Sequence, residues 1–343
     1  MTGGLVELAA CTPEELRTLL PEAPAYRAGQ AFRWLQKGVR AFDEMTDLPL
    51  SLRERLAAIG YLTAPFATRR QTARDGTTKI LWRLSDGQSV ESVFMRYRHG
   101  NTVCLSTQAG CRQGCAFCAS TVGGLIRNLT AGEMLAQVTG AARQVGAPVS
   151  GVVLMGIGEP LDNLDEVERF VRLLAHPDGL HMSPRRVSLS TCGLIDGIDR
   201  LAALALPLTL SVSLHAADDE TRTRLMPGNP GVSALLDACR RYFKATGRRV
   251  SYEYILLRDV NDTEDRAHLL GRLLTGAPAH VNLIPYNPTG RGGFQPSRPD
   301  QIRRFAAAVA SYGPSVTCRR RLGQEIDAAC GQLRRQTGQN VVQ

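Results

Sequence analysis

The stretch "NTVCLSTQAGCRQGCAFC", residues 101–118, runs from a strand-like segment into a loop that holds Cys111, Cys115 and Cys118 within eight positions. Its first half is apolar and β-branched over 102–107. Its second half is rich in glycine and polar residues, which reads as the loop after a strand rather than the start of a helix. The same unit recurs toward the C-terminus. Strand candidates at 150–154, 186–190, 208–213, 249–256 and 279–284 alternate with helical patterns at 130–144, 163–175, 232–246 and 263–275. Capping-box spacing at Thr130 with Glu133, and at Asn163 with Glu166, marks two of the helix starts. Six strands so spaced predict an α/β fold with a parallel sheet covered by helices, either an open doubly wound sheet or a six-stranded partial (β/α) barrel. Helix 299–311 and strand 315–319 append a seventh unit. In both architectures the loops after the strands' C-terminal ends build the site, and the cysteine loop is one of them.

Toward the N-terminus the pattern changes. Residues 12–58 read as a small helical module, with Thr12 as N-cap in "TPEEL" and Gly60 closing a short helix. "KILWRLSDGQSVESVFM" then reads as a hairpin turning at Asp86-Gly87. Counting by two along its second arm puts Glu91 on one face with Val93 and Met95. That is an odd place for a carboxylate if the face packs, and an ordinary one at a solvated edge. The expected organisation is a helical accessory domain at 1–65, a β-hairpin extension at 66–100, the barrel at 101–290 and a C-terminal extension at 291–343.

The chain has 343 residues, 43% of them hydrophobic, enough for a large core. "MTGGLVELAACTPEEL" lacks a basic segment followed by an apolar core, and no stretch approaches eighteen apolar residues, so a soluble, cytoplasmic protein without membrane contact is expected. Nine cysteines without an export signal favour metal or thiol chemistry over a disulfide framework. Lys plus Arg is 41 against 32 acidic residues, a formal charge of +9 that suits a polyanionic partner. Arginines cluster at 96 and 98, 185–186, 248–249, 319–321 and 334–335. Aromatic residues are only 6%, so RNA recognition would lean on arginine and shape more than on stacking.

Three thiolates without a fourth suit a four-iron cluster that keeps one iron open for a chelating ligand, since thiolates are the usual protein ligands of such clusters. Structural zinc with Cys104 as fourth ligand, or a redox pair of Cys115 and Cys118, also fits the spacing. The other strand-end loops carry polar groups: Gly156, Gly158 and Glu159 in "LMGIGEP", Ser190 and Thr191, Ser213 and His215, and Asn282 and Asn287. The two glycines let backbone approach a ligand, and Glu159 can accept from an ammonium or a ribose hydroxyl. The loop lacks the Rossmann glycine spacing, and Pro160 opposes that helix entry.

The CxxxCxxC motif resembles that of the radical S-adenosylmethionine superfamily. More narrowly, "FDEMTDLP", "SVESVFMRY", "TVCLSTQAGC", "VVLMGIGEPLDNLDEV", "SLHAADDE", "HVNLIPYNP" and "IDAACGQL" resemble the bacterial enzymes that methylate C2 of adenine in 23S rRNA and tRNA, over roughly residues 12–335. This chain departs from that pattern with "CLSTQAG" in place of a sequence near "CVSSQVG", and with Cys318 where a β-branched residue is usual.

The resemblance implies a partial barrel of radical SAM type. It implies that Cys111, Cys115 and Cys118 hold one [4Fe-4S] cluster, and that Gly158, Glu159, Ser190, Ser213, Leu214, His215 and Asn287 bind S-adenosylmethionine, two molecules per turnover. Cys330 would carry a methyl group as S-methylcysteine, form a transient bond to the base, and be released as a disulfide with Cys104, while Glu91 or Cys104 takes the C2 proton. Implied partners are 23S rRNA at the peptidyl-transferase centre, tRNA at position 37, a low-potential electron donor such as flavodoxin and a thiol reductant, with the protein acting as a monomer. The related C8 adenine methyltransferase, and a zinc-stabilised RNA-binding module without catalysis, are the alternatives.

Overall fold

In the computed structural model, which describes residues 4–289, 291–319 and 326, the alternating region forms a sheet whose central strands are all parallel. The chain begins with strand β1 (Val6–Glu7), helices α1 (Pro13–Leu19), α2 (Ala25–Gln36) and α3 (Leu50–Ile59), and strand β2 (Gly60–Tyr61), which pairs in parallel with β1. The N-terminal module is thus helical with a small two-stranded sheet that hydrophobic periodicity does not reveal. Next come β3 (Phe66–Thr72), β4 (Thr78–Arg83), β5 (Ser89–Tyr97) and β6 (Gly100–Cys104). A small antiparallel pair, β7 (Gln108–Gly110) and β8 (Leu125–Asn128), brackets the cysteine loop. The alternation then runs α4 (Ala131–Val145), β9 (Gly151–Leu154), α5 (Leu164–Ala175), β10 (Val187–Thr191), α6 (Ile195–Ala203), β11 (Thr209–Ser213), α7 (Asp219–Leu225), α8 (Val232–Thr246), β12 (Val250–Leu256), α9 (Glu264–Leu274), β13 (Ala279–Pro285), α10 (Pro299–Ala310) and β14 (Ser315–Cys318).

Ten strands lie side by side in the order β14-β13-β12-β11-β10-β9-β6-β5-β4-β3. From β6 to β14 every pairing is parallel, while β3, β4 and β5 are antiparallel and continue the sheet through β6. The hairpin is therefore two strands of this sheet rather than a separate appendage. Its turn spans Leu84 to Gln88, with Gly87 at φ 84° and the Asp86 carboxylate accepting from Gln88 N–H at 3.0 Å.

A two-residue period decides which side chains look inward. Val187 and Leu189 of β10, Leu210 and Val212 of β11, and Val281 and Leu283 of β13 pack into the core with the helices, alongside residues such as Leu201, Leu235 and Leu270. The alternate positions, Ser190, Ser213, Glu253 and Ile284, line a cavity on the other face. The sheet curls around that cavity. Arg319, just past edge strand β14, places Nη1 3.9 Å from Sδ of Met155, just past β9. In a flat sheet five strand spacings would separate them by about 24 Å, far beyond an arginine's reach. The N-terminal module shares this core through Leu8, Leu16 and Phe32. Thr130 Oγ1 also donates to its half-buried Glu7 at 2.9 Å.

One of the two expected capping boxes forms. Thr130 and Glu133 cap each other's backbone N–H at 3.1 Å, which starts α4. Asn163 makes no cap hydrogen bond. Its amide donates instead to the carbonyls of Thr107 and Leu129 at 3.0 and 2.8 Å, and Glu166 accepts from Ala131 N–H at 2.7 Å. Tertiary acceptors displaced the local cap, so this side chain ties the cysteine-bearing loop to the entry of α5.

Candidate functional site

The cavity has a volume of about 350 Å³ and sits at the C-terminal ends of the parallel strands. Cys104 at the end of β6, Met155 after β9, Ser190 and Ser213, Asn287 after β13 and Arg319 all reach it. Cys115 and Cys118 enter from the loop between β7 and β8. Thr77, Val93 and Met95, from the antiparallel strands and the turn before them, close its flank.

The cysteine loop is held by backbone bonds at both ends. Cys111 N–H donates to Gly124 O at 2.9 Å and Ala116 N–H to Leu225 O at 2.9 Å. Arg291 donates to Cys118 O at 3.1 Å, and Thr289 Oγ1 to Phe117 O at 3.0 Å. Cys111 and Cys115 are buried, and burial pushes the Cys111 thiol up to about 12, with the neighbouring Cys118 and Cys115 adding to the rise. Burial makes the Cys111 thiol hard to ionise unless a metal compensates its charge. Among the described residues no three His, Cys, Asp or Glu side chains converge as one ion requires. A four-iron cluster gives each cysteine its own iron, so the sulfurs need not meet at one point. The donor set fits that cluster.

Around the remaining wall stand the residues expected to bind the cofactor. Gly158, Glu159, Ser190, Ser213, His215 and Asn287 all line the cavity. Leu214 does not. Its side chain is buried in the core, while its N–H donates to Glu253 O at 3.0 Å and its carbonyl accepts from Arg222 at 2.6 Å. The glycines of "LMGIGEP" line the cavity and also permit a close approach within the protein. A Cβ on Gly156 would stand 2.5 Å from Leu105 O, and one on Gly158 (φ 114°) 2.8 Å from Gln108 N. The β9 loop thus packs backbone to backbone on the segment leading to the cysteines. Glu159 is 1% exposed, and its two oxygens accept from Leu161 N–H at 3.0 Å and Cys192 N–H at 2.7 Å. The Thr191 hydroxyl and the Cys192 thiol hydrogen-bond the same carboxylate. Burial raises its carboxyl above the usual range.

His215 sits in left-handed backbone (φ 58°), with Nδ1 accepting from Ile255 N–H at 3.1 Å and its ring edge-on to Phe117 at 5.0 Å. Burial pushes it down to about 3, so the imidazole is neutral with its hydrogen on Nε2.

Glu91 is 3% exposed, which excludes the solvated-edge reading. Its Oε2 lies 3.0 Å from Nζ of the fully buried Lys79. Cys104, opposite Val93 in the β5/β6 register, shares that face and opens onto the cavity. Cys330 lies outside the described residues. The eight described cysteines are free, so no disulfide is present among them.

Sequence reading missed four residues. Cys192 lines the cavity, and its thiol hydrogen-bonds Cys115, which lowers the latter's pKa. Glu253 lines the cavity floor at 3% exposure and accepts from Asn282 Nδ2 at 2.8 Å. Its inward parity with Ser251 in "VSYEYIL" was the available signal. Lys79 is the third. Arg222, 1% exposed, donates to the carbonyls of Ser213, Leu214, Cys192 and Pro230 at 2.6 to 2.8 Å, which locks the β10 and β11 loops together. The arginine pairs are placed differently from expectation. Arg186 and Arg248 lie at the N-terminal ends of β10 and β12, opposite the cavity, and bond the carbonyls of Ser150 and Leu208. Of the clusters within the described residues, Arg319 stands at the cavity.

Residues 105–271 match the radical SAM superfamily, and residues 6–62 match the ribosomal RNA large subunit methyltransferase N-terminal domain. A protein of Symbiobacterium thermophilum named "Probable dual-specificity RNA methyltransferase RlmN" is 49% identical over 340 residues, covering 96% of this chain and 92% of that protein. One of the same name from Pelotomaculum thermopropionicum is 50% identical over 318 residues, covering 91% and 86%. The crystal structure of a radical SAM methyltransferase from Sphaerobacter thermophilus superposes with a TM-score of 0.91 at 44% identity, covering 95% of this chain and 98% of that one.

Proposed function

The chain belongs to the RlmN-type dual-specificity RNA methyltransferases of the radical SAM superfamily, and we propose that it methylates C2 of adenosine in 23S rRNA, at the peptidyl-transferase centre, and in tRNA at position 37. One observation carries this reading. A thiol outside the CxxxCxxC motif, Cys104, opens onto the same cavity as Cys115 and Cys118, so cluster and non-cluster cysteines face one reaction volume.

In this reading Cys111, Cys115 and Cys118 hold three irons of one [4Fe-4S] cluster. When bound, the cluster and S-adenosylmethionine supply the one-electron chemistry that an electron-poor ring carbon demands. Glu159 and the neutral His215, with Ser190, Ser213, Asn287 and the backbone at Gly158, orient the cofactor along the strand ends. Cys330 in the C-terminal extension carries the methyl carbon to the base, and each turnover consumes two S-adenosylmethionine molecules. Glu91 accepts the C2 proton, and Cys104 captures the sulfur of Cys330 as the product leaves. Arg319 and the exposed Arg112, beside the cavity and the cysteine loop, attract RNA phosphates. The protein works in the cytoplasm as a monomer, with a low-potential donor such as flavodoxin and a thiol reductant. Residues 1–65 act as an accessory domain, 66–100 as an extension beside the six-stranded partial barrel at 101–290, and 291–343 as the methyl-carrying extension.

Digestion of RNA treated with the reconstituted enzyme, followed by chromatography and mass analysis against 2-methyladenosine and 8-methyladenosine standards, tests the regiochemistry. The C2 isomer from both rRNA and tRNA is expected. The C8 isomer would assign the chain the related reaction.

A further inference from the structure

Lys79, the second residue of β4, is 0% exposed, and lysine is rarely so buried without a charged partner. Its partner is Glu91 at 3.0 Å. The β-sheet register defines where the pair stands. Lys79 is opposite Val93 on β5, and Val93 is opposite Cys104 on β6, so Lys79, Val93 and Cys104 form one row across three strands. Glu91 is two residues along β5 from that row, and its backbone is fixed by the Ser106 hydroxyl, which donates to Glu91 O at 2.7 Å and accepts from Glu91 N–H at 3.3 Å. The ion pair is therefore diagonal across two strands, on the face whose Thr77, Val93, Met95 and Cys104 line the cavity.

Stability alone is a weak reason to keep such a pair. Burying two charges costs about as much as their attraction returns, and apolar replacements of similar volume often serve as well or better. A carboxylate that must stay ionised in a dry site, ready for a proton, does need a fixed cation beside it.

We propose that Lys79 is the positioning residue for proton removal: it holds Glu91 ionised and in place beside the Cys104 side of the cavity without touching the substrate. The inference rests on the reading of Glu91 as proton acceptor. In that step the C2–H bond breaks, its electron pair stays with the ring and the methylene attached to it, and the proton passes to the Glu91 carboxylate. Lys79 keeps its own protons throughout. The other titratable groups lining this volume are Cys104 on β6, Cys115, Cys118, Glu159, Cys192, His215, Glu253, Tyr286 and Arg319.

The test uses full-length, cluster-loaded protein and labelled RNA, with the covalent protein–RNA species followed on denaturing gels. Lys79→Met should form the adduct at the normal rate and resolve it about a hundredfold more slowly, the usual size of a lost general base. Lys79→Arg should restore most of the rate, because it returns the charge. Infrared difference spectra against Glu91→Gln supply a readout that needs no turnover: an ionised carboxylate in the parent protein and a protonated carboxyl in Lys79→Met. If Lys79→Met does not fold, Lys79→Gln, which keeps a donor but no charge, carries both measurements. Adduct resolved at the parent rate by the neutral variant, with Glu91→Gln stalled, would overturn the role of Lys79 and leave Glu91 as base. Normal resolution by Glu91→Gln would remove the reading on which the inference rests.

Discussion

Replacing Arg222 by methionine should loosen the cavity wall without removing any side chain that lines the cavity. The guanidinium is 1% exposed and spends its donors on four backbone carbonyls, those of Cys192, Ser213, Leu214 and Pro230. Hydrogen bonds to a charged group contribute about 1.5–3 kcal/mol each before the cation's desolvation is counted. Burial disfavours this guanidinium enough to lower its pKa, so a large part of that gain is offset. The net loss should resemble that of breaking a buried charged contact, about 3–5 kcal/mol. Unfolding entropy of about 2.1 cal/mol/K per residue amounts to about 0.7 kcal/mol/K over the 343 residues, so the melting temperature should fall by about 4–7 °C. Arg222→Lys, with one point charge for a planar fork, should recover less than half. Circular dichroism melting and calorimetric S-adenosylmethionine titration under anaerobic conditions read both effects. A variant that melts within about 1 °C of the parent and binds the cofactor equally well would refute this account of how the β10 and β11 loops are held.

Alanine at Cys111, Cys115 or Cys118 should cut iron and labile sulfide content and abolish 5′-deoxyadenosine release while the protein stays folded, because the core lies on the other face of the sheet; iron analysis and chromatography check this. His215 should make the protein acid-sensitive. Its folded pKa is about 3 against an ordinary 6.5, so the unfolded chain binds a proton that the folded one refuses, and stability falls as pH drops through that window. From pH 7 to pH 5 the loss should be about 2 kcal/mol, and it should vanish in His215→Asn, which keeps an acceptor for Ile255 N–H and tolerates left-handed backbone; urea titrations at the two pH values measure it. Cys104→Ala should accumulate protein bound to RNA on denaturing gels, whereas Cys330→Ala should form none.

The parts of this protein visible in its sequence are those set by neighbours along the chain. Three cysteines within eight residues share one loop whatever the rest of the fold does, and Thr130 caps α4 through a residue three positions away. The inward serines at 190 and 213 follow from the two-residue period of a strand. The alternation of strands and helices was enough to read a parallel sheet with its site at the strand ends. What tertiary structure decided involves partners distant in sequence. Asn163 gave up its local cap for carbonyls 34 and 56 residues away, and Arg222 spans 30 residues to hold Cys192. The exchange of a solvated Glu91 for one buried on Lys79 depended on strand register. The approach of Arg319 to Met155 depended on the curl of the sheet. Local sequence sets which face a side chain takes and how a helix begins. Burial and the pairing of buried charges depend on which strands meet, in what register and with what curvature, and those follow only when the whole core closes.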